Sequence, residues 1–217
     1  MLLLNDIISD EEILSFGQYF ADNYDKKKYI NWQSNNEIID HRLVIDQDCP
    51  LFKIIQRIVR GNFDKPVDVW SAYQRQSRPH EIHIDDYMSN RVGYFRYTYI
   101  LAMQTVPEFK SIVWKETCWD NDKLAEFVHQ WGRTRRFQKS VSCISREQDL
   151  EHTYDKNQEA YMADYLTPDG IYTYKKGTAC LFDATKLHCS SNWLKYPQFP
   201  NRELLQIHVL NATAIDC

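Results

Sequence analysis

An all-β core, a sandwich or barrel with helices packed on one face (α+β in the broad sense), is predicted by three features of the sequence. Helical periodicity is confined to the N-terminal third. After Pro66 the apolar period shortens from about 3.6 to 2. Segments rich in Ile, Val, Tyr, Phe and Thr then recur almost to the C-terminal end. Helices followed by many strands make one layered unit, so residues 1–217 are expected to form a single domain. Its N-terminal helical flank is 1–65, and its β core is 66–217.

The first helix is expected after Ser9-Asp10-Glu11-Glu12, where hydroxyl and carboxylate can each satisfy a free amide. Ile13, Phe16, Phe20 and Tyr24 follow at helical spacing. A second helix is expected from Pro50 to Gly61, carrying Leu51, Ile54, Ile55, Ile58 and Val59. Val67, Val69 and Tyr73, in alternation with Asp68 and Trp70, read as a strand. Further strands are expected at 81–88, 94–104, 111–117, 171–175, 178–183 and 203–211. Residues 118–165 break the pattern, being polar with charged clusters near Arg133 and Glu147. They read as an insertion between strands with a helix over 122–131, and long connections over a rigid scaffold are where lids arise.

Composition narrows the function classes. The chain is 43% hydrophobic and 14% aromatic, enough to bury a core. Its net charge of −4 gives no general attraction to nucleic acid, the least favoured partner. The six cysteines are scattered and form no C-x-x-C pair, which suits reduced thiols in a cytoplasmic protein. Met1-Leu2-Leu3-Leu4 lacks the features of a signal peptide, and no apolar run reaches the length of a membrane span.

The chemistry is carried by Pro79-His80-Glu81-Ile82-His83-Ile84-Asp85-Asp86. His83 and Asp85, two apart on an expected strand, leave the same face and can occupy adjacent positions on one metal ion. A second imidazole would complete a 2-His-1-carboxylate facial triad, which leaves open positions on Fe(II). Gly177-Thr178-Ala179-Cys180-Leu181-Phe182-Asp183-Ala184-Thr185-Lys186-Leu187-His188 has the form that supplies it: a glycine turn, an apolar strand, a short loop and a histidine. Arg202 opens the last strand, and Tyr73 ends a strand before the first ligand. Arg202 shares its strand face with Leu204, Gln206 and His208, while Leu205, Ile207 and Val209 point to the opposite side.

The order Tyr73, His83-x-Asp85, Gly177 with Phe182, His188 and Arg202 resembles the double-stranded β-helix (jelly-roll, cupin-like) dioxygenases that use Fe(II) and 2-oxoglutarate. Within them it is most similar to the prolyl-4-hydroxylase-like branch. The resemblance spans roughly 67–211, apart from the insertion. It implies a jelly-roll barrel, iron held by His83, Asp85 and His188, and Arg202 on the far carboxylate of 2-oxoglutarate. It also implies help from Tyr73 and from Tyr99 on the following strand. A guanidinium fork matches a carboxylate in geometry and charge. The resemblance further implies O2 as cosubstrate and oxidation of a C–H bond, with 2-oxoglutarate converted to succinate and CO2. Related halogenases put a small residue in the place of the acid; Asp85 fills it, which favours hydroxylation. The sequence departs from the family in a longer gap between His188 and Arg202, and in Leu204 where some branches place a serine.

Two other classes compete. A cupin-type metalloenzyme would keep the metal ligands without needing Arg202. A non-catalytic β-sandwich binding module would leave His83 and His188 unrelated. The substrate, a small molecule, a peptide or a protein side chain, is not specified by these residues. His41, His80, His129 and His152 receive no role, and Arg133-Thr134-Arg135-Arg136 with Lys139 reads as a solvated charged face. Trp114, Trp119 and Trp131 flank the insertion as substrate-stacking or core residues.

Overall fold

Alternation of apolar side chains on both faces of the central strands calls for cover on both sides, and the chain supplies two kinds. The computed structural model describes residues 1–23, 29–34, 37–63, 65–77, 85, 95–117, 167–191, 193 and 196–210; along 29–34, 37–40, 95, 116 and 117 the description is of the backbone. In chain order the elements are β1 (Leu2–Leu4), α1 (Asp10–Asn23), β2 (Tyr29–Ser34), β3 (Glu37–Val44), α2 (Phe52–Arg60) and β4 (Asp68–Gln76). They continue with β5 (Phe95–Ala102), β6 (Val106–Thr117), β7 (Pro168–Tyr174), β8 (Ala179–Asp183), β9 (Lys186–Ser190) and β10 (Arg202–Leu210). The strands form a seven-stranded sheet ordered β1-β8-β5-β10-β4-β3-β2 and a three-stranded sheet ordered β7-β6-β9. Every described pairing is antiparallel. The expected β core with helical cover is therefore present, in a jelly-roll-like arrangement of two sheets.

The expected capping box starts α1. Ser9 N–H donates to Glu12 Oε2 at 2.9 Å, and Glu12 N–H donates to Ser9 Oγ at 3.2 Å. Three acidic residues in the first turn add favourable charge at the positive end of the helix dipole. Ile13, Phe16 and Phe20 face inward from α1, and Ile55, Ile58 and Val59 from α2. They pack on Tyr73, Tyr99, Leu101, Leu205, Ile207 and Val209 from one face of the large sheet. Burial of each large apolar side chain contributes roughly 1.5–3 kcal/mol relative to exposure.

The opposite face of the large sheet meets the small one. Ile100, Cys180, Phe182 and Leu204 pack there against Phe109, Val113, Tyr172 and Tyr174. The alternation expected for β10 holds: Leu205, Ile207 and Val209 lie under the helices, while Arg202, Leu204 and Gln206 line a cavity between the sheets. Gly177, at φ 81°, makes the turn between β7 and β8, and its carbonyl accepts from Ile7 N–H at 3.1 Å.

Two expectations need correction. The N-terminal third is not purely helical, because β2 and β3 pair between the helices and β3 extends the sheet beside β4, with Asp40 opposite Gln76. The stretch Tyr29–Val44 carries Ile30, Trp32, Ile38 and Ile39, residues that fit a pleated surface, although its apolar spacing gives no clean period. The loop expected before His188 is shorter than the sequence suggests. Lys186–Ser190 is a strand, and Asp183 tightens the turn before it by accepting from Thr185 N–H at 2.9 Å and Thr185 Oγ at 2.7 Å. Most of the strand expected at 81–88 and the whole insertion 118–165 lie outside the described residues. Trp114 is buried in β6, while Trp119 and Trp131 also fall outside. Among the described residues, no helix is long and apolar enough to cross a membrane.

Candidate active site

The site is built from β9, β10 and β4, and from Asp85. His188 lies mid-strand in β9, paired with Val113 of β6, and its ring rests against Phe182 at 4.7 Å between centroids. Its Nδ1 lies 3.0 Å from the Lys186 carbonyl. A carbonyl oxygen can only accept, so Nδ1 carries a proton, and Nε2 is the ring nitrogen left to face another partner. That nitrogen is 3.3 Å from Asp85 Oδ2, with both side chains nearly buried at 3% and 8% exposure. Asp85 is tethered by its own N–H, which donates to the Ala184 carbonyl at 3.0 Å in the turn leading to β9.

Nε2 and Oδ2 at this separation can share a proton or a metal ion. Ligands at right angles on a metal, each about 2.1 Å from it, stand about 3 Å apart. The Asp85 and His188 pair therefore fits adjacent positions on a metal ion, and the Lys186 carbonyl is the kind of partner that fixes a ligating imidazole. Among the described residues no cluster of three metal-binding side chains is complete. His83, expected as the third ligand, lies outside the described residues.

Arg202 opens β10 with its side chain buried, 2% exposed. Its Nε donates to Gln76 Oε1 at 2.8 Å, and Nη2 donates to the same oxygen. The guanidinium carbon sits 4.5 Å from the ring centroid of Trp193 and 5.2 Å from that of Tyr174. These contacts hold a buried guanidinium, whose planar fork is of the shape that matches a carboxylate. Arg202 and His188 line one cavity with Gln74, Gln76, Ser111 and Gln206. Its free volume is about 20 Å³, room for about one water and well below the roughly 300–1,000 Å³ of small-molecule sites.

The two expected tyrosines are not in this cavity. Tyr73 and Tyr99 belong to the cluster beneath the helices, on the face of the large sheet opposite Arg202. Tyr73 Oη donates to Glu203 Oε2 at 2.7 Å and its ring packs on Phe20 at 5.0 Å. Burial, reinforced by Glu203, pushes its phenol well above the ordinary range. The error is one of parity: Tyr73 and Arg202 both sit on strands of one sheet, but register puts Gln74 and Gln76 on the face that Arg202 uses. Tyr174 of β7 is the tyrosine under the guanidinium; burial raises its phenol pKa, with Arg202 opposing the shift, and its hydroxyl lies 3.1 Å from Ser111 Oγ. Strand alternation on β4 was a signal for Gln74 and Gln76, and β10 had already offered Gln206 and His208. No local signal marks Trp193. His208, also buried, bonds Thr98 Oγ1 through Nδ1 at 3.0 Å and stands 3.9 Å from Asp85 Oδ2.

No family model matches the sequence, and no curated protein matches it. Solved structures do match the fold. The non-heme alpha-ketoglutarate-dependent carbocyclase SnoK from nogalamycin biosynthesis aligns with TM-score 0.59 and 13% identity, over 98% of this chain and 80% of that one. The epimerase SnoN, solved with Fe3+, alpha-ketoglutarate and a nogalamycin compound, aligns with TM-score 0.58 and 10% identity, over 98% and 79%. HygX from Streptomyces hygroscopicus, with nickel and 2-oxoglutarate bound, gives 0.51 and 13% over 97% and 82%. The fold is thus one that this chain shares with SnoK, SnoN and HygX.

Proposed function

We propose that this protein is an Fe(II)- and 2-oxoglutarate-dependent oxygenase that hydroxylates a C–H bond of a small molecule, peptide or protein side chain. The observation that carries the reading is convergence: Asp85 and His188 face each other at 3.3 Å, and Arg202 lines the same cavity as His188. In this reading Asp85 and His188, with His83, hold the metal. Arg202 binds the distal carboxylate of 2-oxoglutarate, and closure of the two sheets completes the barrel. When bound, Fe(II) supplies the dioxygen chemistry that turns 2-oxoglutarate into succinate and CO2 while the substrate is oxidised.

The chain's own residues do the rest. The Lys186 carbonyl keeps the proton of His188 on Nδ1 and so leaves Nε2 for the metal. Trp193 and Tyr174 pack against the guanidinium and help to hold its fork in place for the carboxylate. Phe182 and Ile100, apolar and buried near the ligands, exclude water from them. The buried Arg202 favours this reading over a cupin-type enzyme that does not use 2-oxoglutarate. Succinate formation by the Fe(II)-loaded protein, with O2 and a panel of candidate substrates, tests it. An iron-loaded protein that never turns over 2-oxoglutarate, coupled or uncoupled, overturns it.

A further inference from the structure

A row of three glutamine amides joins Arg202 to Asp85. Arg202 donates from Nε and Nη2 to Gln76 Oε1. Gln76 Nε2 then donates to Gln74 Oε1 at 2.7 Å, and Gln74 Nε2 donates to Gln206 Oε1. Gln206 Nε2 reaches Asp85, at 3.3 Å from Oδ2 and 3.5 Å from Oδ1. Each amide thus accepts on its Arg202 side and donates on its Asp85 side.

That polarity is dictated by the ends. A guanidinium can only donate and an ionised carboxylate can only accept. Turning any one amide over would set oxygen against oxygen on one side and N–H against N–H on the other. Sheet register builds the row: Gln74 and Gln76 alternate on β4, Arg202 stands opposite Gln76, and Gln206 reaches Gln74 diagonally from β10. All three amides are buried, at 0%, 1% and 7% exposure for Gln74, Gln76 and Gln206, where a broken link is costly and aligned bonds reinforce one another.

We propose that Gln74, Gln76 and Gln206 are positioning residues: a polarised amide relay that sets the Asp85 carboxylate for the metal according to what Arg202 holds. The inference rests on the oxygenase reading, in which Asp85 is a metal ligand and Arg202 the cosubstrate anchor. A carboxylate arriving at Arg202 competes with Gln76 Oε1 for the guanidinium N–H groups. The change in that bond passes along the row to Gln206 and so to Asp85. Cosubstrate binding and metal geometry are thereby coupled through protein, in addition to any bond the cosubstrate itself makes to the metal.

The test uses Co(II) as the probe, titrated calorimetrically into metal-free protein without 2-oxoglutarate, so that cosubstrate chelation cannot carry the coupling. Gln74→Met keeps the volume and breaks the row at a residue that bonds neither Asp85 nor Arg202. It is expected to weaken Co(II) binding about 10-fold, the scale of losses seen when groups that orient ligands are removed, and to shift the visible Co(II) absorption. In a double-mutant cycle, Arg202→Lys should weaken Co(II) binding in the native background and have little further effect beside Gln74→Met. Native Co(II) affinity in Gln74→Met, or the same Arg202→Lys effect in both backgrounds, overturns the relay and leaves the oxygenase reading standing. If Gln74→Met does not fold, Gln206→Met takes its place in the same cycle. Failure of the native protein to bind Co(II), or undiminished binding in Asp85→Ala, overturns the oxygenase reading itself.

Discussion

The Nδ1 atom of His188 bonds the carbonyl of Lys186, two residues back on the same strand, at 3.0 Å. That bond decides which nitrogen is free to meet a metal and aims Nε2 at Asp85. His188→Ala should therefore remove a ligand outright. Losses on removing orienting partners run 10–100-fold, so loss of the ligand is expected to weaken Fe(II) or Co(II) binding by at least about 100-fold. Metal titration of the purified variant measures this. Near-native affinity would refute the placement of His188 at the metal.

Arg202→Lys keeps the charge and loses the planar fork and its stacking on Trp193 and Tyr174. The Kd for 2-oxoglutarate is expected to rise about 10-fold, on the scale of a hydrogen bond to a charged group. Binding of 2-oxoglutarate to metal-loaded protein, followed by calorimetry, gives the value directly. Unchanged affinity would remove Arg202 from the cosubstrate site.

Tyr73→Phe should change stability and leave cosubstrate binding alone. The lost bond is to Glu203, which Arg75 still holds through Nε at 2.8 Å and Nη2 at 2.7 Å. A loss of about 1 kcal/mol is expected, or roughly 2–4 °C in Tm. A weakened affinity for 2-oxoglutarate would return Tyr73 to the site.

Alkaline pH should destabilise the fold through Cys180. Burial raises this thiol from 9.0 to about 12, so the folded state holds its proton where the unfolded chain has released it. The stabilisation is complete below about pH 9 and is lost as pH rises toward 12. Denaturant unfolding at pH 8 and pH 10.5 should show a loss that Cys180→Ala reduces. An equal loss in the variant would exclude this thiol as its source.

Ser9→Ala removes half of the reciprocal cap at the start of α1. A cost of about 1 kcal/mol in unfolding free energy is expected, with metal binding unchanged. A stability change near zero would mean that packing of Phe16 and Phe20 alone fixes the helix start.

Much of this protein was legible one element at a time. Ser9 and Glu12 marked a helix start because capping is a contact between residues three apart. The alternation in Arg202–Leu210 marked its two faces because strand period is a local property. His188 and Arg202, chosen from the sequence, do line one cavity. Tyr73 and Tyr99 were misassigned because their chemistry is visible in the chain and the face they present is not.

The sequence by itself determined which segments become helix or strand and which residue types were available for a metal and a carboxylate. Tertiary structure decided the rest. It paired β3 with β4, set Trp193 and Tyr174 against Arg202, buried Tyr73 beneath α1, and laid three amides between Arg202 and Asp85. The physical reason is distance along the chain. Periodicity and capping act between near neighbours, whereas a site joins side chains from β4, β9 and β10 whose register is fixed when whole sheets pack and bury their faces.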